Sequence, residues 1–192
     1  MSVINQVGNA LSGSTGTGAF VGANTPTLIT PVIGAASATS IAFTSTSGVI
    51  GTTTNDSAAA GSVGELISSV IVQGSAVSMD GSPDNVTSIS LTAGDWDVWG
   101  NINFSGGAGT VVTSLLGAIN TTSGAFPGNA LISTVSISVA GATVFATVSP
   151  TVIPVMQRIS VATTTTVYLV AQANFTVSTA TAFGGIYARR RR

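Results

Sequence analysis

Leu91–Phe104 reads L-T-A-G-D-W-D-V-W-G-N-I-N-F, and its alternation is that of a half-buried strand. On an extended backbone successive side chains point to opposite faces. Trp96, Val98, Gly100, Ile102 and Phe104 then share one side, and Asp95, Asp97, Trp99, Asn101 and Asn103 share the other. The first row is a core face. The second faces water or a partner, and Trp99 is its odd member, a large aromatic among carboxylates and amides. The stretch holds both tryptophans of the chain and two of its six acids.

Outward from this stretch the composition agrees. Of 192 residues, 44% are hydrophobic, rich in Val and Ile and mixed with Thr and Ser, which suits strands. With 23 glycines and no lysine, little favours surface helices. An all-β chain follows. Charged residues are only 6%, against roughly 25% in an ordinary soluble domain. Disorder has the opposite signature, low hydrophobicity with high charge. So few charges protect a monomer poorly against association, so a homo-oligomer or a large particle is expected.

The five cations are Arg158 and the run Arg189–Arg192, so residues 1–188 carry six acids against one base. No basic stripe of a nucleic-acid binder is present, and no nucleic-acid partner is expected. Without cysteine there are no disulfides, thiolate metal sites or thiol catalysis. The start M-S-V-I-N-Q lacks a basic n-region, so no secretory leader is expected. No stretch approaches the roughly 18 apolar residues of a membrane helix, and membrane insertion is not expected.

Two textures divide the chain. Residues 1–61 are an extended, low-complexity arm: Asn9–Gly22 is N-A-L-S-G-S-T-G-T-G-A-F-V-G, and Thr25–Pro31 carries two prolines. Residues 62–192 alternate short strand-like runs with Gly, Pro, Asn and Ser punctuation. Strands are predicted at Glu65–Val72, Ala76–Met79, Val86–Leu91, Asp95–Phe104, Val111–Asn120 and Leu131–Val139. Others are predicted at Thr143–Val148, Val152–Val161, Thr165–Asn174 and Ala182–Ala188. This spacing predicts an antiparallel jelly-roll sandwich. In Thr165–Asn174 both faces are partly apolar, Val167, Leu169 and Ala171 against Tyr168, Val170 and Gln172, as expected of a strand buried against a sister subunit.

Catalytic chemistry has few places to sit. The chain has no His, Cys or Lys, which removes serine–histidine, thiol and Schiff-base mechanisms. Asp95 and Asp97, two apart on one strand face, are the one geometry that suggests a glycosidase-like pair; read plainly, they flank a strand start in solvent. The chain is expected not to be an enzyme, and to need no cofactor. Asp80, Asp84 and Asn85 around Gly81 and Pro83 offer hard oxygen ligands of the kind calcium accepts, and are equally the residues of an ordinary turn, so no metal is assigned. On the presumed outer face Trp99 can stack on a sugar while Asp95, Asp97 and Asn101 bind its hydroxyls, or the same aromatic can meet a sister subunit. The terminal arginines suit phosphate or an acidic polysaccharide, or are a solvated end.

Four stretches resemble a known family. G-S-T-G-T-G-A-F-V-G-A-N-T-P-T-L-I-T-P (Gly13–Pro31) resembles a segment of tail-fibre and related virion proteins of tailed bacteriophages and prophages. T-S-I-S-L-T-A-G-D-W-D-V-W-G (Thr87–Gly100), V-A-T-T-T-T-V-Y-L-V-A-Q-A (Val161–Ala173) and G-G-I-Y-A-R-R (Gly184–Arg190) resemble a small C-terminal domain of the same proteins. The resemblance implies a virion protein, trimeric, with a jelly roll like those of the complement and tumour-necrosis-factor families. It implies partners among the tail or capsid proteins through the arm, and host surface glycans through the head. A capsid-decorating head fibre or cement protein is the alternative, and a carboxylate glycanase a further one.

Overall fold

The computed structural model describes residues 53–136 and 149–192. Most of the predicted arm, the strand predicted at Thr143–Val148 and the end of the one predicted at Leu131–Val139 lie outside the described residues. The compact unit containing the described residues begins at Thr53.

Among the described residues the chain is all-β, with only two single-turn 3-10 segments, at Gln73–Ser75 and Asn129–Leu131. The strands are β1 (Leu66–Ile71), β2 (Val77–Met79), β3 (Asp84–Leu91), β4 (Gly94–Gly106) and β5 (Val111–Asn120). They continue as β6 (Ser133–Ser136), β7 (Thr151–Val152), β8 (Gln157–Val161), β9 (Thr165–Thr176) and β10 (Ala180–Arg190). One sheet has six strands in the order β1-β10-β4-β7, with β2 also on β10 and β8 also on β4; the other has four, β3-β9-β5-β6. Every pairing among the described residues is antiparallel.

The path of the chain makes this a jelly roll. β3 pairs with β9 in the smaller sheet, and their continuations β4 and β10 pair in the larger. A two-stranded ribbon therefore folds over from one sheet to the other, which is how such sandwiches close without long crossovers. The turn from β9 to β10 is tight enough to hold Val177 and Ser178 at φ of 61° and 62°. It is pinned where Gly107 N–H and the Thr110 hydroxyl donate to the Thr179 carbonyl at 3.0 and 2.7 Å.

The core lies between the sheets. Trp96, Val98, Ile102 and Phe104 of β4 are fully buried, as their alternation predicts. They meet Leu115 and Ile119 of β5 and Val167 and Leu169 of β9. Burying a side chain of this size stabilises by roughly 1.5–3 kcal/mol. Close approach of the sheets depends on Gly117, where an added Cβ would stand 2.7 Å from the Ile102 side chain and 2.9 Å from that of Val152.

Two expectations change. The strand predicted at Val152–Val161 is two strands, because Pro154 has no N–H to give the ladder and turns its ring into the core beside Gly117. The apolar outer face of β9 is not left for a sister subunit at Val170, which is fully buried within its own chain. Two loops fold back over that face. Gln172 Nε2 donates to the Gly81 carbonyl at 2.6 Å, while Asn85 Nδ2 donates to Ser123 Oγ at 2.7 Å and Asn85 Oδ1 accepts from Gly124 N–H at 2.8 Å.

Candidate functional site

The outer face of the six-stranded sheet carries the second row of the opening stretch, and register places its neighbours. Opposite Trp99 stands Tyr187, opposite Asn101 stands Gly185, and opposite Asn103 stands Phe183. Further out, Ser68 faces Tyr187 and Val70 faces Gly185. Trp99 and Tyr187 are stacked, with ring centroids 5.9 Å apart and planes 16° from parallel. The Tyr187 ring lies along β10 over Gly185, whose missing side chain leaves room for it. Both rings are half-buried, and each keeps surface open to a partner.

Large apolar side chains flank the pair at both margins. Leu66, Val70 and Val72 are 50%, 54% and 63% exposed at the β1 margin, and Ile153 and Met156 are 70% and 64% exposed beside β7 and β8. Between them lie Asn101 and Asn103, the latter accepting a hydrogen bond from Thr151 Oγ1 at 2.6 Å. The result is an apolar and amide face across the sheet, with charge only at one end.

That end holds the ion pairs. Asp95 is buried although it belongs to the outer row, because Arg158 covers it: Nε donates to both carboxylate oxygens at 2.8 and 3.0 Å, and Nη2 to Oδ2 at 2.7 Å. Arg192 Nε adds a contact at 3.2 Å. The Arg158 hydrogen bonds hold the Asp95 carboxyl below the usual carboxylate range against the opposing pull of desolvation, and Asp95 reciprocally raises the Arg158 guanidinium. Of the four residues expected to bind a sugar, Trp99, Asp97 and Asn101 remain accessible on this face, while Asp95 has its oxygens occupied by arginine. Asp97 meets Arg191 at the long distance of 3.5 Å.

The arginine run begins inside the sheet and ends in solvent. Arg189 and Arg190 are the last residues of β10, and Arg191 N–H donates to the Asp95 carbonyl at 2.7 Å. Arg190 is buried, 4.3 Å above the Trp96 ring, with Nε donating to Glu65 Oε2 at 2.9 Å and Nη1 to the Ala93 carbonyl at 2.8 Å. Glu65 also accepts from Gly61 N–H at 2.8 Å. The Arg190 hydrogen bond first, and the Gly61 N–H second, lower the Glu65 carboxyl from its ordinary range.

Both lowered carboxyls have the same linkage sign. Their folded-state values lie below the unfolded ones, so the stability they add is present above the unfolded carboxylate range and is lost as pH falls through the folded values. Thermal melts should therefore fall progressively below about pH 4.5, the ordinary carboxylate range. The Glu65→Gln chain should start lower and fall less steeply. An equally steep acid slope in that variant would remove Glu65 from the account.

The Asp80–Asn85 turn does not gather its oxygens. Asp80 Oδ1 accepts from Ser82 N–H at 2.8 Å, and the Asn85 side chain is turned to Ser123 and Gly124. Burial, then the nearby Asp80 charge, push the Asp84 carboxyl up. Among the described residues no group of three or more His, Cys, Asp or Glu side chains is placed to hold a metal ion.

Reading the sequence found Trp99 and its row but missed Tyr187, Phe183, Leu66 and Val70. The local signal for the first two was the alternation A-F-G-G-I-Y-A in Ala182–Ala188. Their meeting with Trp99 depends on β10 lying beside β4, which no local pattern announces.

No protein-family model and no curated protein matches this sequence. Among solved structures, it is similar to a chain from "Structure of infectious bursal disease virus Gx strain", at 14% identity and a TM-score of 0.29, over 66% of this chain and 30% of that one. The chain thus spans less than a third of the length of the protein it matches.

Proposed function

We propose that this chain is a non-enzymatic structural protein of a bacteriophage virion, a homotrimer whose arm (residues 1–61) attaches to the particle and whose jelly-roll head contacts the host surface. The observation that carries the reading is the uncharged centre of the six-stranded sheet's outer face. There Trp99, Tyr187 and Phe183 lie between exposed Val70, Ile153 and Met156. A face of this kind on a chain that is 6% charged fits a permanent contact between copies. Closed cyclic symmetry removes such a face without leaving another copy of it exposed.

Sister-subunit contact suits Trp99 better than sugar stacking. One side of its ring already meets Tyr187, and the nearby Asp95 carboxylate, which sugar hydroxyls need, belongs to Arg158. The same pairing weighs against a glycanase. A glycosidase carboxylate must reach the sugar or its water with a free oxygen, and both Asp95 oxygens are held by the Arg158 fork. Contact with host glycans then falls to other surfaces of the head, with strength from avidity over many weak sites.

Sedimentation velocity tests the reading. The chain should sediment near three times its 18.8 kDa mass, and Trp99→Glu should shift it to a single-chain mass while the far-ultraviolet circular dichroism stays that of a β-protein. Ser90→Glu, on an exposed position of β3 in the other sheet, should leave the trimer intact. A wild-type chain that sediments as a monomer at micromolar concentration overturns the proposal.

A further inference from the structure

We infer that the arginine end of the head is a docking surface for an acidic, partly apolar protein surface. All five cations, Arg158 and Arg189–Arg192, lie where β4 begins and β10 ends. Three carboxylates sit among them, and one of these, Glu65, is taken by the buried Arg190. Apart from that pair, Arg158, Arg189, Arg191 and Arg192 stand against Asp95 and Asp97, four positive charges against two negative. The end stays positive with a carboxylate at Arg192 counted. Arg158, Arg191 and Arg192 are 54%, 55% and 75% exposed at their side chains while holding these contacts.

The opposite end has the reverse sign. Asp80 and Asp84 lie between β2 and the start of β3, where no cation is near, and the Asp84 carboxyl is pushed up by burial and by Asp80. In a chain with five cations, gathering all of them at one end polarises the head from base to tip. Ion pairing within the fold accounts for Arg190 and for the Asp95 contacts. Among the described residues it gives Arg189, on the exposed side of β10, no side-chain partner.

What this end fits is a protein rather than a polyanion chain. Register sets Leu66, Arg189, Asp97 and Arg158 in one row across four strands, and Val63 is 70% exposed just before β1. A phosphate or sulfate track needs an unbroken run of cations, and here Asp97 interrupts the row. Arginine beside exposed aliphatic side chains is the composition of protein interfaces, where the guanidinium fork takes carboxylates two oxygens at a time. The chain also enters the head here: Gly61 N–H donates to Glu65, and Gly64 N–H to the Arg190 carbonyl at 3.0 Å. Resting on the reading that the arm attaches to the particle, the patch faces the particle and its partner is a virion protein.

Binding to a model acidic polypeptide tests this on the full chain in solution, independently of any virion assignment. The probe is fluorescein-labelled poly(Glu,Tyr) at a 4:1 ratio, followed by fluorescence anisotropy. The chain should bind it with an affinity that falls roughly tenfold between 50 and 200 mM salt, as for about two net charge contacts. Arg189→Gln with Arg191→Gln should weaken binding at least about fivefold and flatten the salt dependence. Leu66→Asn should weaken binding with the salt slope unchanged, and Asp80→Asn with Asp84→Asn should leave it as it was. A 20-base-pair DNA duplex should bind at least about tenfold more weakly than the polypeptide. The inference is overturned if the polypeptide does not bind, if the double arginine variant binds as wild type while its melting curve shows it folded, or if the duplex binds as tightly. Trimer formation in the sedimentation experiment stands or falls separately.

Discussion

Arg190→Ala is expected to cost the head about 3–5 kcal/mol, the loss typical when one partner of a buried ion pair is removed. The side chain is 5% exposed and closes three separate pieces of chain on one guanidinium. Nε reaches Glu65 at the entry to β1, Nη1 and Nη2 reach Ala93 and Thr92 in the β3–β4 turn, and the charge lies over the Trp96 ring. Removing it strands the Glu65 carboxylate, 10% exposed, with the Gly61 N–H as its remaining hydrogen-bond donor. It also strips Trp96 of a cation worth about 1 kcal/mol or more when desolvated. At about 3–5 °C per kcal/mol for a domain of this size, the melting temperature should fall by about 10–20 °C.

A second variant separates lost pairing from lost volume. Glu65→Leu with Arg190→Met removes both charges and keeps apolar bulk, and such replacements are often neutral in buried pairs. The double variant should recover most of the stability that Arg190→Ala loses. A loss below about 1 kcal/mol in Arg190→Ala, or no recovery in the double variant, would mean that the pair sits in water and the guanidinium is not a tie.

The contrast between Trp96 and Arg190 shows where local pattern stops. Trp96 was legible as core because alternation acts within one strand and is enforced by the pleat alone. The same rule located the outer row, the jelly-roll strands and, at Val111–Asn120, both ends of a strand. The arginines are a tertiary matter. Glu65 and Arg190 are 125 residues apart in sequence, and Asp95 and Arg158 are 63 apart. In the sequence Arg189–Arg192 is a bare charge run, and Asp95 is an acid on a strand's wet side. Arg190 meets Glu65 when β10 is laid beside β1, and Asp95 meets Arg158 when β8 is laid beside β4. The candidate site divides the same way. Trp99 was visible as an anomaly in its own strand, whereas Tyr187 became its neighbour through the β4–β10 register. Pro154 was readable in principle, since a proline inside a ten-residue strand costs a ladder hydrogen bond, and the structure breaks the strand there.

Gly184→Ala should be among the most damaging single substitutions in the head, at about 3 kcal/mol or more, from a change of one methyl group. Gly184 sits in the middle of β10 with φ of +149°, a backbone that side chains rarely adopt. A Cβ there would run into the Asn101 carbonyl oxygen, and would stand 3.0 Å from the Asn101 carbonyl carbon and 3.1 Å from Ile102 Cα. All three are backbone atoms of β4, the strand paired with β10. No side chain can rotate aside, so relief requires the two central strands of the larger sheet to part at Gly184 and Ile102. Strain in φ alone is worth about 1–3 kcal/mol, and the lost ladder and core contacts add to it. The adjacent glycine is the control. At Gly185 the nearest atoms are Tyr187 Oη at 2.8 Å and Cε2 at 3.1 Å, parts of a ring that can swing toward solvent. Gly185→Ala should therefore cost about 1 kcal/mol and disturb the stack with Trp99, seen as a change in near-ultraviolet circular dichroism. Chemical denaturation of both variants decides the matter: equal losses would mean that the β4–β10 backbones are not in the contact described, and that Gly184 is there for the ring rather than for the ladder.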